Sequence, residues 1–182
     1  AAGRQVRDGG GITPDIEMSY PEINRITYNV VADNWAFDFA NKYFANHPAT
    51  PALDDIVVTD SLYADFKRFI DPTRFNYDKV CETALEALRK LAESEGYMSP
   101  EVDEQITVLD GLMKHSLDKD LDINREAIAG YLEQEIAERY YYDRGMATAS
   151  LRHDKMFDRA VEVLDNSAEY HKLLRPQTTA DK

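Results

Sequence analysis

The sequence predicts a mainly α protein, a helical bundle of about five to seven helices preceded by a short extended N-terminal segment. Three observations carry that reading. From Tyr20 onward, apolar residues recur at helical offsets rather than in strict alternation. Residues that start and stop helices stand at the ends of those runs, as in Thr59-Asp60, Ser99-Pro100-Glu101 and Gly96. No proline interrupts the chain between Pro100 and Pro176. The organisation that follows is a terminal strand or turn over residues 1–20, a helical domain over 21–175 and a flexible tail over 176–182.

The N-terminal segment reads GGGITPDI over residues 9–16. A phosphate-cradling glycine loop runs straight into a helix N-terminus with a Lys and Ser/Thr, or shows the GxGxxG spacing after a strand. Here Ile12 follows the glycines and Pro14 biases Thr13 toward extended backbone. Gly9, Gly10, Gly11, Pro14 and Asp15 are therefore read as a structural turn or a close backbone approach.

Pro21 suits a first helical turn, and Ile23, Ile26, Val30, Phe37 and Phe44 then share one face. Tyr28, Val31, Trp35 and Phe39 form a second stripe, so this helix is either sandwiched in its own bundle or docked on another domain. His47-Pro48 closes it, and residues 49–51 connect to a short extended piece at 56–58. Thr59 is positioned to cap a helix carrying Leu62, Tyr63, Phe66, Phe69 and Ile70, which Pro72 terminates. Over residues 78–95, Cys81, Ala84, Leu85, Leu88, Leu91 and Ala92 line one face, and Gly96 ends the run. On that stripe Cys81 reads as a small buried hydrophobe rather than a nucleophile. The helix opened by Ser99-Pro100-Glu101 carries Val102, Ile106, Leu109, Met113 and Leu117, and a break is expected at 118–122. Ile128, Leu132, Ile136 and Tyr140 then step by four until Arg144-Gly145. Two shorter helices follow, one through Met156, Phe157, Ala160, Val161 and Leu164, the other over residues 170–174.

Composition removes several functions. With 34 acidic against 21 basic side chains the net charge is −13, the wrong sign for neutralising nucleic-acid phosphates, which leaves protein or small-molecule partners. A single cysteine permits neither an intrachain disulfide nor a cysteine-based zinc site. No run approaches the roughly 20 apolar residues of a membrane span, and the N-terminus lacks the basic-then-apolar order of a signal peptide. The opening AAGRQV has no Met, as expected of a fragment cut from a longer chain. Asp118, Asp120 and Asp122 are spaced like the first ligands of a calcium loop. Ile123 stands where that loop needs Gly and Ala129 where it needs Glu, so a solvated acidic junction is the better reading. Histidines 47, 115, 153 and 171 make no i, i+4 pair, and no GxSxG occurs. Glu133, Glu135 and Glu138 are the kind of clustering that so acidic a helical chain cannot avoid. No catalytic, cofactor-binding or metal-binding residue is assigned, and no cofactor is expected.

Tyr140, Tyr141 and Tyr142 lie within RYYYDRG. Successive rings on a helix point about 100° apart, so three cannot face one core and at least one should reach solvent or a second surface. They either pack in the core with a hydrogen-bonded phenol or anchor an interface. Tyr28, Val31, Trp35, Phe39 and Tyr141 are accordingly the candidate interface residues.

Two stretches resemble a known family. Residues 4–15, with Gly11, Ile12, Pro14 and Asp15 forming a Gly-Ile-x-Pro-Asp element, resemble the end of the catalytic core of bacterial carboxyl-terminal processing, or tail-specific, serine proteases. The helical remainder, particularly RYYYDRG over residues 139–145, is similar to the C-terminal extension of one branch of them. The resemblance implies an enzyme with a peptide-binding PDZ domain and an α/β core, using a Ser nucleophile and a Lys general base that lie upstream of Ala1. Its implied partners are that upstream core and PDZ domain, with a homo-oligomer left open, and its implied location is the periplasm or cell envelope. The chain itself would be a non-catalytic helical domain that scaffolds or dimerises the catalytic core. The alternative is an independent helical protein-protein interaction module.

Overall fold

The computed structural model describes residues 14–19, 22–75, 80–114 and 116–175. Among these the fold is mainly helical, as the sequence predicts. It comprises α1 (Arg25–Ala32), α2 (Trp35–Asn46), α3 (Asp60–Phe69), α4 (Val80–Ser94), α5 (Pro100–Met113), α6 (Leu117–Ile123), α7 (Arg125–Leu151), α8 (Lys155–Asp165) and α9 (Ser167–Leu173). A 3₁₀ turn occupies Leu53–Asp55, and no strand occurs among the described residues. Gly9, Gly10 and Gly11 lie outside them; Pro14 and Asp15 are exposed in irregular backbone.

Asparagines cut the predicted runs into more helices than expected. Asn24 caps α1 by accepting the Thr27 N–H at 2.9 Å. Asn34 then takes a left-handed conformation, φ 62°, which Asn tolerates better than most residues. The long first helix of the sequence reading is therefore two helices, α1 and α2. Residues 118–122, where a break was expected, are helical within α6. The interruptions lie on either side, at the Ser116 cap, which accepts the Lys119 N–H, and at Asn124.

The chain divides into two compact units. One is Ile23–Ser150; the other joins the described part of Ala1–Glu22 to that of Leu151–Lys182. In the larger unit α1 packs on α2 and the core is aromatic. Trp35 meets Phe69 edge-on at 6.2 Å and Phe75 at 6.0 Å, and Phe39 meets Phe66 edge-on at 5.3 Å. The first half of α7 supplies Ile128, Leu132 and Ile136, all fully buried at the four-residue step read from the sequence. Thr59 caps α3 by accepting the Leu62 N–H. Ile56 and Val58 are buried with Val57 exposed between them, so the predicted extended piece keeps its alternation without pairing as a strand. In the smaller unit α8 packs on α9, and Asp154 caps α8 by accepting the N–H groups of Met156 and Phe157.

Helices α4 and α5 form a hairpin within the larger unit. Gly96 turns between them at φ 76°, and Ser99 caps α5 by accepting the Val102 N–H, both as the sequence predicts. No residue of either helix belongs to the two core clusters.

Candidate functional site

The RYYYDRG stretch carries a cluster of polar contacts in the larger unit. Tyr140 donates its hydroxyl to the His47 carbonyl at 2.5 Å, and Tyr141 donates to the Pro51 carbonyl at 2.6 Å. Two neighbouring phenols thus hold both ends of the connector that leaves α2. That segment lacks ladder partners of its own, so half-buried donors from α7 satisfy these two carbonyls. Burial pushes the Tyr140 phenol above its ordinary pKa, with Tyr43 adding to the effect, so it remains a donor. His47 stacks on Tyr43 at 4.1 Å and directs Nδ1 to the Tyr43 carbonyl at 2.8 Å, closing the end of α2.

Arg139 is the largest hub here, and the sequence reading missed it. Its guanidinium donates to Glu135 at 2.7 Å, Glu138 at 3.1 Å and Asn41 at 3.0 Å, and lies 4.3 Å from the centre of the Phe37 ring. The Glu135-Arg139 spacing of four was the available signal. Arg139 thereby ties α7 to α2, and its side chain is 9% exposed.

Tyr142 is 78% exposed, the one ring of the triplet that the geometry of successive rings required to face outward. The helix does not run on to Arg144-Gly145, because Tyr142 itself breaks it at φ 57°, ψ −152°, a region only Gly enters freely. Gly145 is no terminator either; it sits buried in the turn after the break. A Cβ there would lie 2.4 Å from the Ala137 carbonyl oxygen and 2.7 Å from the Tyr141 Cβ. The kink folds the second half of α7 onto the first at a separation that only Gly allows.

The other candidate interface residues separate at Asn34. Tyr28 and Val31, on α1, are exposed; Trp35 and Phe39, on α2, are buried in the aromatic core. A stripe that is continuous at 100° per residue is therefore not one surface, because the left-handed residue between its halves rotates them apart. Tyr141 is half-buried with its hydroxyl committed to Pro51.

The three aspartates share a helix rather than a loop. Asp118 and Asp122, one turn apart, both receive Lys67 of α3, at 2.7 and 2.8 Å, which raises the pKa of that ammonium. Asp120, about 200° round the helix from Asp118, is buried, and desolvation raises its carboxyl pKa. Between these helices Tyr63 donates to the Leu121 carbonyl at 2.5 Å. Burial, reinforced by Asp122, pushes that phenol far above its ordinary pKa. Glu133 is buried and accepts the Val58 N–H at 2.9 Å, so this carboxylate of the Glu133, Glu135, Glu138 group holds backbone. Cys81 is half-buried on α4. Among the described residues no helix is long and apolar enough to cross a membrane.

These contacts fasten one helix or connector to another. Residues 26–164 match a family model described as "Probable PDZ-protease, C-terminal helical domain". No curated protein and no solved structure matches the chain.

Proposed function

Since the chain belongs to the C-terminal helical domains of probable PDZ-proteases, we propose that it is the non-catalytic helical domain of a carboxyl-terminal processing serine endopeptidase. The observation that carries this reading is the family match over 26–164, which takes in α2 to α7 and all but one residue of α1 and of α8. The Gly-Ile-x-Pro-Asp element supports the narrower assignment to the tail-specific branch, and with it a Ser/Lys dyad upstream of Ala1 and a periplasmic or envelope location. In this reading the domain positions or dimerises the catalytic core, and Tyr28 and Val31 on the exposed side of α1 take part in that contact.

Peptidase assays on the 182-residue chain and on a version extended upstream test the reading. The extended protein is expected to cleave an unstructured protein substrate and the 182-residue chain to cleave none. Cleavage by the short chain that disappears on a Ser→Ala substitution within it would refute the assignment. For the scaffolding role, Tyr28→Glu in the extended protein should weaken association with the core or between subunits, and unchanged assembly rejects that role for α1.

A further inference from the structure

The α4–α5 hairpin shows its apolar side to solvent. Leu88, Leu91, Leu109 and Leu112 are all exposed, Leu112 at 70%, and Ile106 is the single residue of the two helices that is buried. Between the helices runs an apolar groove of about 320 Å³, floored by Leu88, Ala92, Val102, Ile106 and Leu109, with Glu101 and Gln105 at its edge. Two antiparallel helices carrying such a groove are two-thirds of a three-helix bundle: a third helix laid in it buries the leucines on both sides.

Charge selects the occupant. Residues 80–113 contain eight Asp and Glu against two bases, Arg89 and Lys90. Both bases are neutralised inside the hairpin, Arg89 by Asp103 across the helix pair and Lys90 by Glu86 at 2.7 Å along α4. Ser99 holds the Glu101 carboxyl below its usual range, so the groove edge stays charged. Two copies of this hairpin face to face would oppose acid to acid, and an anionic lipid surface would be repelled in the same way. A helix with a leucine-like stripe and flanking Lys or Arg meets both the groove and its rim.

We propose that the α4–α5 hairpin is a docking arm for a basic amphipathic helical segment of another polypeptide. This goes beyond the role proposed for the domain and stands on the hairpin alone.

The test uses the 182-residue chain and a fluorescent Leu/Lys peptide of about 18 residues with leucines at i, i+3, i+4 and i+7. The control peptide has the same composition with the leucines spread round the helix. The patterned peptide is expected to bind one to one. Leu109→Glu should weaken it about tenfold or more, as burying a charge in a hydrophobic contact does. Glu101→Lys with Glu104→Lys should weaken it without touching the groove floor, and high salt should do the same. Because these side chains are exposed, circular dichroism should show the variants folded as the parent is. Equal binding of the control peptide, or unchanged binding to Leu109→Glu and the double Lys variant, overturns the proposal. So does a dimer in sedimentation that Leu109→Glu dissociates, which would assign the face to a second copy.

Discussion

Helices α4–α5 and the α2–α3–α7 core both carry regular apolar stripes, yet the hairpin's lies largely at the surface and the core's is buried. The stripe on α7 at Ile128, Leu132 and Ile136 and the stripe on α5 at Val102, Ile106 and Leu109 both follow helical spacing and are both aliphatic. What differs is the partner: Ile128 and Leu132 share a core cluster with Phe39 and Phe66, and Ile136 joins Ala40 and Ile56 in a second, whereas the outer side of the hairpin meets solvent. Amphipathic periodicity states which face of a helix is apolar. It carries no information about whether the same domain supplies the cover.

The sharpest way to break this contrast is a matched truncation. Leu132, with no exposed surface, should cost about 2–5 kcal/mol on replacement by Ala, because burial is lost and a cavity remains. Leu112→Ala on the hairpin should stay within about 0.5 kcal/mol, as surface changes do. Urea unfolding of the two variants decides it. Similar losses would mean that the hairpin is covered in solution.

Much of the fold was legible because its signals are local. Thr59, Ser99 and Gly96 do what their types and positions imply, since a cap involves only residues a few places away. The division of the first helix was not legible: nothing in Asp33-Asn34 distinguishes a surface polar pair from a left-handed turn until Trp35 and Phe39 find Phe66 and Phe69. The same long-range pairing decides that Asp118 and Asp122 share Lys67, 51 and 55 residues away in sequence. At the RYYYDRG stretch the outward ring could be foreseen from helix geometry. The role of Gly145 could not, because it depends on a kink at a residue type that rarely makes one.

Glycines sharpen the comparison at the next level. Gly145→Ala in the core should destabilise by about 1–3 kcal/mol, since the Ala137 carbonyl cannot retreat without moving the helix. Gly111 in α5 has nothing within 4 Å of where its Cβ would lie. Gly111→Ala should raise stability by up to about 1 kcal/mol through helix propensity. Thermal unfolding should shift in opposite directions; two shifts of the same sign would remove the kink from the account.

Positive φ gives a smaller contrast. The hairpin places Gly96 at its left-handed position, and the core region uses Tyr142 at a more strained one. Tyr142→Gly should relieve strain and, after the greater freedom of Gly in the unfolded chain, stabilise by about 1 kcal/mol. Gly96→Ala should cost about the same amount. A destabilised Tyr142→Gly protein would show that the exposed ring makes contacts that outweigh its backbone.

The smallest expected effect is one of pH, and it has opposite signs in the two regions. Desolvation raises the Asp120 carboxyl pKa, so the native state holds that proton more tightly than the unfolded chain. Stability from this group is greatest below the unfolded value of about 3.9 and declines as pH rises through the raised native value. In Asp120→Asn that decline is absent, so the difference in Tm, variant minus parent, should grow as pH rises through this window and then level off. On the hairpin, Ser99 holds Glu101 below its usual range, and the native state releases the proton more readily. Its contribution is present above the unfolded value and lost as pH falls through the native one, so Glu101→Gln should lower Tm at neutral pH and converge on the parent in acid. A pair of profiles sloping the same way would mean that Asp120 is as well solvated as the hairpin's acid, and the burial that separates core from arm would fail at its most polar residue.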